Sequence, residues 1–220
     1  MIQSSPVPSP VHRFKRAKFW KQVAIGAIVG GVSMGLALAS IDGLKGATLT
    51  PDEAVALGAG VIYSIIGLFV GLGALFPKAG SELLNVEDEE EIRDQRHIFG
   101  WGAVAMLLSG LSMLGLVLGS PGFEFLGRAV AAALVAACVA GIACVGYITR
   151  NDSDEFGKRL SRDSGQVTLV LTAALFGGWA VLSHLGYVPM FTALGFLGGG
   201  LLIYLVAIFF VVAKAGLIRP

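Results

Sequence analysis

Of 220 residues, 55% are apolar and 14% are charged, against roughly 45–50% and about 25% in a soluble globular domain, so the chain is read as an integral membrane protein. The sixteen basic and fifteen acidic residues nearly cancel, to +1. The basic ones lie scattered beside apolar runs, not gathered in one patch, which argues against a nucleic-acid binder.

The chain begins with a polar tail, residues 1–21, that carries Pro6, Pro8 and Pro10 and then Arg13, Lys15, Arg16, Lys18 and Lys21. Residues 22–220 read as a single polytopic transmembrane helical domain. A helix crosses the roughly 30 Å hydrocarbon core with about 20 mostly apolar residues. Runs that satisfy this lie at 22–41, 54–76, 98–119, 127–149, 167–187 and 190–213. They are solidly apolar, without the short alternating segments of a membrane barrel, so the predicted fold is all-α with about six spans. The first run, with Ala37-Leu38-Ala39 near its end, also fits a signal peptide. Its length exceeds the roughly 7–15 residues of a cleaved apolar region, so a retained span is expected.

The second and third runs are joined by a polar stretch at 77–97, and the fourth and fifth by another at 150–166. The two stretches match at an offset of 66 residues: Asn85 with Asn151, Asp88 with Asp154, Glu89 with Glu155, Arg93 with Arg159, Arg96 with Arg162. The two asparagines suit helix N-caps, the acids suit a positive helix start, and Glu89–Arg93 and Glu155–Arg159 are i,i+4 pairs in the favourable order. Spans three and five are therefore expected to begin as short exposed helices. The hairpins that follow, helices 3–4 and 5–6, are expected to form a parallel repeat. The acidic run Glu87–Glu91 reads chiefly as a solvated face.

Orientation follows from the basic residues. With the N-terminus in the cytoplasm, the five tail cations share that side with Lys78, Arg93, Arg96, Arg150, Lys158, Arg159, Arg162, Lys214 and Arg219, leaving Lys45 and Arg128 outside. The asymmetry predicts cytoplasmic N- and C-termini in a bacterial inner membrane. Trp20, Trp101, Tyr147 and Tyr187 fall near span ends, where amphipathic rings favour the headgroup region.

Chemistry is sparse. Every acid and base can be placed at a span end or in a loop, so the usual pointer to a pump or proton relay is missing. No G-x-S-x-G, H-E-x-x-H or phosphate-loop motif occurs, and no catalytic residue is assigned. His12, His97 and His184 lack metal-ligand spacing. Cys138 and Cys144, both in the fourth run, point to opposed helix faces and read as small packing residues. Neither a metal nor a cofactor is expected.

The strongest positive signal is glycine at small-xxx-small spacing: Gly26/Gly30, Gly31/Gly35, Gly67/Gly71 and Gly195/Gly199, with Gly177, Gly178, Gly198 and Gly200 adding notches. Such faces let helix backbones approach closely, within the chain or against a membrane-protein partner or second copy. The expected function is that of a non-enzymatic structural or accessory membrane subunit. The alternative is a small permease for a neutral or apolar solute, its path lined by Ser33, Ser64, Ser109, Thr172 and Ser183 without a fixed charge.

Overall fold

Thr50-Pro51-Asp52-Glu53 is a helix start written in four residues. The Thr50 hydroxyl accepts from the Glu53 backbone N–H at 3.3 Å, and the Glu53 carboxylate accepts from the Thr50 N–H at 2.9 Å. This reciprocal capping box satisfies two amides that a helix leaves orphaned, and proline occupies the first turn, where it forfeits no hydrogen bond. Helix α1 (Pro51–Leu75) therefore begins before its apolar run does.

The computed structural model describes residues 50–76, 93, 95–121, 125–150 and 155–215. Four further helices follow α1: α2 (Arg96–Leu118), α3 (Arg128–Thr149), α4 (Glu155–His184) and α5 (Ala193–Lys214). The described residues contain no strand. All five helices are long and apolar enough to cross a membrane. The predicted span at 22–41 lies outside the described residues, as do Asn85, Asp88, Glu89, Asn151 and Asp154 of the matched polar stretches. The α4 helix starts at Glu155, well ahead of the apolar run at 167, and so carries the polar helical start expected of the fifth span. Its first ion pair differs from the expected one: Glu155 meets Lys158 at 3.8 Å, one position short of Arg159.

The helices pack as a row. Helix α2 lies on α1 and α3 on α2, while α5 covers another side of α1 and α4 packs on α5. Chain neighbours run antiparallel. Helices α1 and α5 run parallel, since Asp52, Ala56 and Tyr63 meet Thr192, Gly198 and Leu201 in the same order. At the junction of α1, α2 and α5, Ala56, Leu57 and Val117 form a buried cluster flanked by Val61, Leu114, Leu118 and Leu194. The hairpins α2–α3 and α4–α5 dock differently, the first through its leading helix and the second through its trailing one.

Glycine explains how the row closes. Without a hydrophobic drive between apolar helices in lipid, association relies on close van der Waals packing, which small residues permit. A Cβ on Gly67 would lie 2.9 Å from the Leu107 backbone nitrogen and 3.0 Å from the Ala103 carbonyl oxygen, both on α2. On Gly110 it would run into Ser64 and the Gly60 carbonyl, and on Gly198 it would come within 2.8 Å of the Ala56 Cα. Gly115 and Gly141 face side chains instead of backbone, the methyl ends of Leu134 and Leu108 across α2–α3, each at 2.8 Å from a Cβ placed there. Along α3, Ala131, Cys138 and Val145 recur every seventh residue and form the buried seam toward α2. Cys144 falls off that seam and is exposed, a correction to its reading as a packing residue.

Candidate functional site

Polar side chains gather at three levels of the bundle. The first is the end where α1 and α5 begin. Glu53, 8% exposed, takes bonds on both carboxylate oxygens: Oε2 accepts from the Thr50 N–H and hydroxyl, each at 2.9 Å, and Oε1 accepts from the Ser120 hydroxyl at 2.6 Å. Ser120 follows the last turn of α2, so a single carboxylate caps its own helix and ties it to the next. Beside it, Asp52 accepts from the Thr192 N–H at 3.3 Å, just where Thr192 caps α5 by accepting from the Gly195 N–H at 3.1 Å. A Cβ on Gly195 would lie 2.6 Å from the Asp52 carboxylate. Both Glu53 oxygens and Oδ2 of Asp52 have donors in the chain, and the cluster has the character of a clasp joining three helix ends. Neither acid stood out in the sequence as more than a loop charge, although T-x-x-E before an apolar run is the capping-box signature.

The second level is the middle of the helices, where a solute path would need polar walls. Ser64 and Ser109 instead donate to carbonyls of their own helices, Gly60 and Ala105, each at 2.8 Å. Tyr63, 4% exposed, donates across to the Leu201 carbonyl at 2.7 Å and bridges α1 to α5. Thr172 and Ser183 lie on α4, at the far end of the row from Ser109 on α2, and Ser33 lies outside the described residues. The described positions that suggested a path thus fall into two separate groups, Ser64 and Ser109 on the contacting helices α1 and α2 and Thr172 and Ser183 on α4. Among the described residues no three His, Cys, Asp or Glu side chains converge as metal ligands. His97 accepts from the Trp101 indole N–H at 2.8 Å, while His184 is exposed in the last turn of α4.

The third level is the opposite end of the α4–α5 pair. Toward the α5 start this interface is filled by rings, with Phe176 4.7 Å from Phe196 and Trp179 4.8 Å from Phe191 between centroids. Toward the α5 end it opens into a groove of about 520 Å³, with Leu160, Val167, Phe210 and Val211 on its apolar walls and Arg159, Asp163, Gln166 and Lys214 supplying polar groups. Arg159, the expected partner of Glu155, lines this groove.

No family model, curated protein or solved structure matches the chain.

Proposed function

We propose that this protein is a non-enzymatic membrane scaffold or accessory subunit. The observation that carries the reading is the state of the bundle's middle: where α1 meets α2 and α5, glycine faces backbone and hydroxyls bond to carbonyls. Among the described residues, that arrangement turns the hydroxyls of Tyr63, Ser64 and Ser109 onto backbone carbonyls. A permease needs polar groups facing a cavity, and such groups are spent here on the helices themselves.

In this reading six spans cross a bacterial inner membrane with both termini in the cytoplasm, the first span being residues 22–41. The described helices fit that topology. Arg96, Arg150, Lys158, Arg159, Arg162 and Lys214 fall at one end of the bundle and Arg128 at the other, as the rule of positive cytoplasmic loops requires. Partners would be other membrane proteins or a second copy. Helix α4 offers the surface for this, since none of its most apolar window is buried within the chain and Gly177 and Gly178 lie open.

The test is purification of the tagged protein from its native membrane in mild detergent, with identification of what accompanies it. A stoichiometric membrane-protein companion, or a defined homo-oligomer, is the expected result. A monodisperse monomer without a companion would contradict the scaffold reading.

A further inference from the structure

We propose that the groove between α4 and α5 binds the headgroup of an anionic phospholipid. Its chemistry is two-sided. Leu160, Val167, Phe210 and Val211 supply apolar walls, whereas Arg159 and Lys214 stand at it as cations from different helices. That pairing of a greasy wall with two cations matches an amphiphile that carries a phosphodiester above acyl chains, and basic pockets between membrane helices take such headgroups.

Three details sharpen the assignment. Among the described residues neither Arg159 nor Lys214 is engaged in an ion pair, because Glu155 pairs with Lys158 instead. Arg159 lies near the start of α4, whose helix dipole adds positive potential, and Lys214 offsets the negative end of α5. A planar guanidinium can hold two phosphate oxygens while the ammonium holds a third. Asp163 and Gln166 then face the polar part of the headgroup, where a glycerol hydroxyl has a carboxylate to donate to and an amide to meet. The groove also lies at the start of α4, whose flank continues as exposed Leu169 and Val170, giving the acyl chains an apolar track.

The experiment titrates the purified full-length protein with short-chain phosphatidylglycerol and counts bound lipids by native mass spectrometry. Phosphatidylcholine, phosphatidylethanolamine and inorganic phosphate serve as separate arms. The parent should bind one phosphatidylglycerol in preference to either zwitterionic lipid, and inorganic phosphate should not displace it at equal concentration. The double variant Arg159→Gln, Lys214→Gln should bind it about thirtyfold more weakly, since each cation near an anionic headgroup contributes about fivefold. The control Lys158→Gln, Arg162→Gln removes the same number of charges, both beside the groove at the start of α4 and neither lining it, and should bind as the parent does.

Equal binding by the groove variant and the parent would overturn the proposal, as would an equal loss in the control, which would reduce the effect to general surface charge. Preference for phosphatidylethanolamine would assign the groove to an ammonium through Asp163, and displacement by inorganic phosphate would assign it to a free anion; either result contradicts a phospholipid anion. All four substituted residues are exposed, so folding is checked simply by a monodisperse elution profile.

Discussion

Glu53 is the residue on which the most structure converges. A carboxylate 8% exposed beside an apolar helix is tolerated because both of its oxygens are occupied, three donors serving one charge. Hydrogen bonds to a charged group contribute about 1.5–3 kcal/mol, so Ser120→Ala should lower stability by that amount. Thr50→Ala, which removes the cap, should cost about 0.5–2 kcal/mol. By contrast Glu155, 97% exposed and paired with Lys158 at 3.8 Å, belongs to a class of helix pairs that contribute about 0.2–0.5 kcal/mol. Glu155→Ala should leave the protein essentially as stable as the parent. Loss of the monodisperse peak on heating in detergent ranks the three, and a Glu155→Ala variant that falls below Ser120→Ala would contradict the account. The capping box was legible in Thr50-x-x-Glu53, but its bond to Ser120 was not, because residues 67 positions apart meet only once α1 and α2 have packed.

Among the elements, α1 and α4 mark the extremes. Helix α1 is clasped on two sides, whereas among the described helices α4 packs chiefly on α5. Glycine substitution separates them. A leucine at Gly67 or Gly198 must drive its side chain into the backbone of α2 or α1, and overpacking of this kind costs about 1–3 kcal/mol or more. At Gly177 or Gly178 a Cβ meets nothing within 4 Å, and a leucine there should be accepted. The same thermal profile should show Gly67→Leu and Gly198→Leu well below the parent and Gly177→Leu level with it. If Gly177→Leu falls as far as Gly67→Leu, close glycine packing is not what holds the row together. Small-xxx-small spacing pointed to Gly67/Gly71 and Gly195/Gly199, and three of these four are tightly faced; Gly71 makes only ordinary contact, 3.4 Å from Ala103. The pattern could not say that Gly177, Gly178 and Gly200 would lie open, because spacing fixes a shared face and not what stands opposite it. The seam on α3 was equally hidden, since alanine fills both its buried and its exposed faces and the sequence contrast between them vanishes.

At the level of the whole molecule, the apolar runs at 54–76, 98–119, 127–149, 167–187 and 190–213 anticipated helices α1 to α5, whereas neighbour order was not written in hydropathy. Apolar runs reveal which segments cross a membrane, yet all of them are equally apolar to one another, and which pairs touch depends on where glycine admits a backbone. The matched polar stretches led to the expectation of a parallel repeat of two hairpins; in the row, α1 meets the leading helix of one and the trailing helix of the other, a difference in docking that the stretches did not announce. Orientation is open to a direct check. Reporter fusions after Ala79 and Ser153 should read as cytoplasmic and those after Ala47 and Gly122 as the opposite side, and a cytoplasmic signal at Gly122 would overturn the alternating arrangement. The central claim, a sealed scaffold in place of a conduit, meets its most direct test in proteoliposomes that contain the purified protein and are subjected to an osmotic step of glycerol or urea. Swelling followed by light scattering should match protein-free vesicles of the same lipid. Faster swelling that scales with the protein-to-lipid ratio would contradict the scaffold reading.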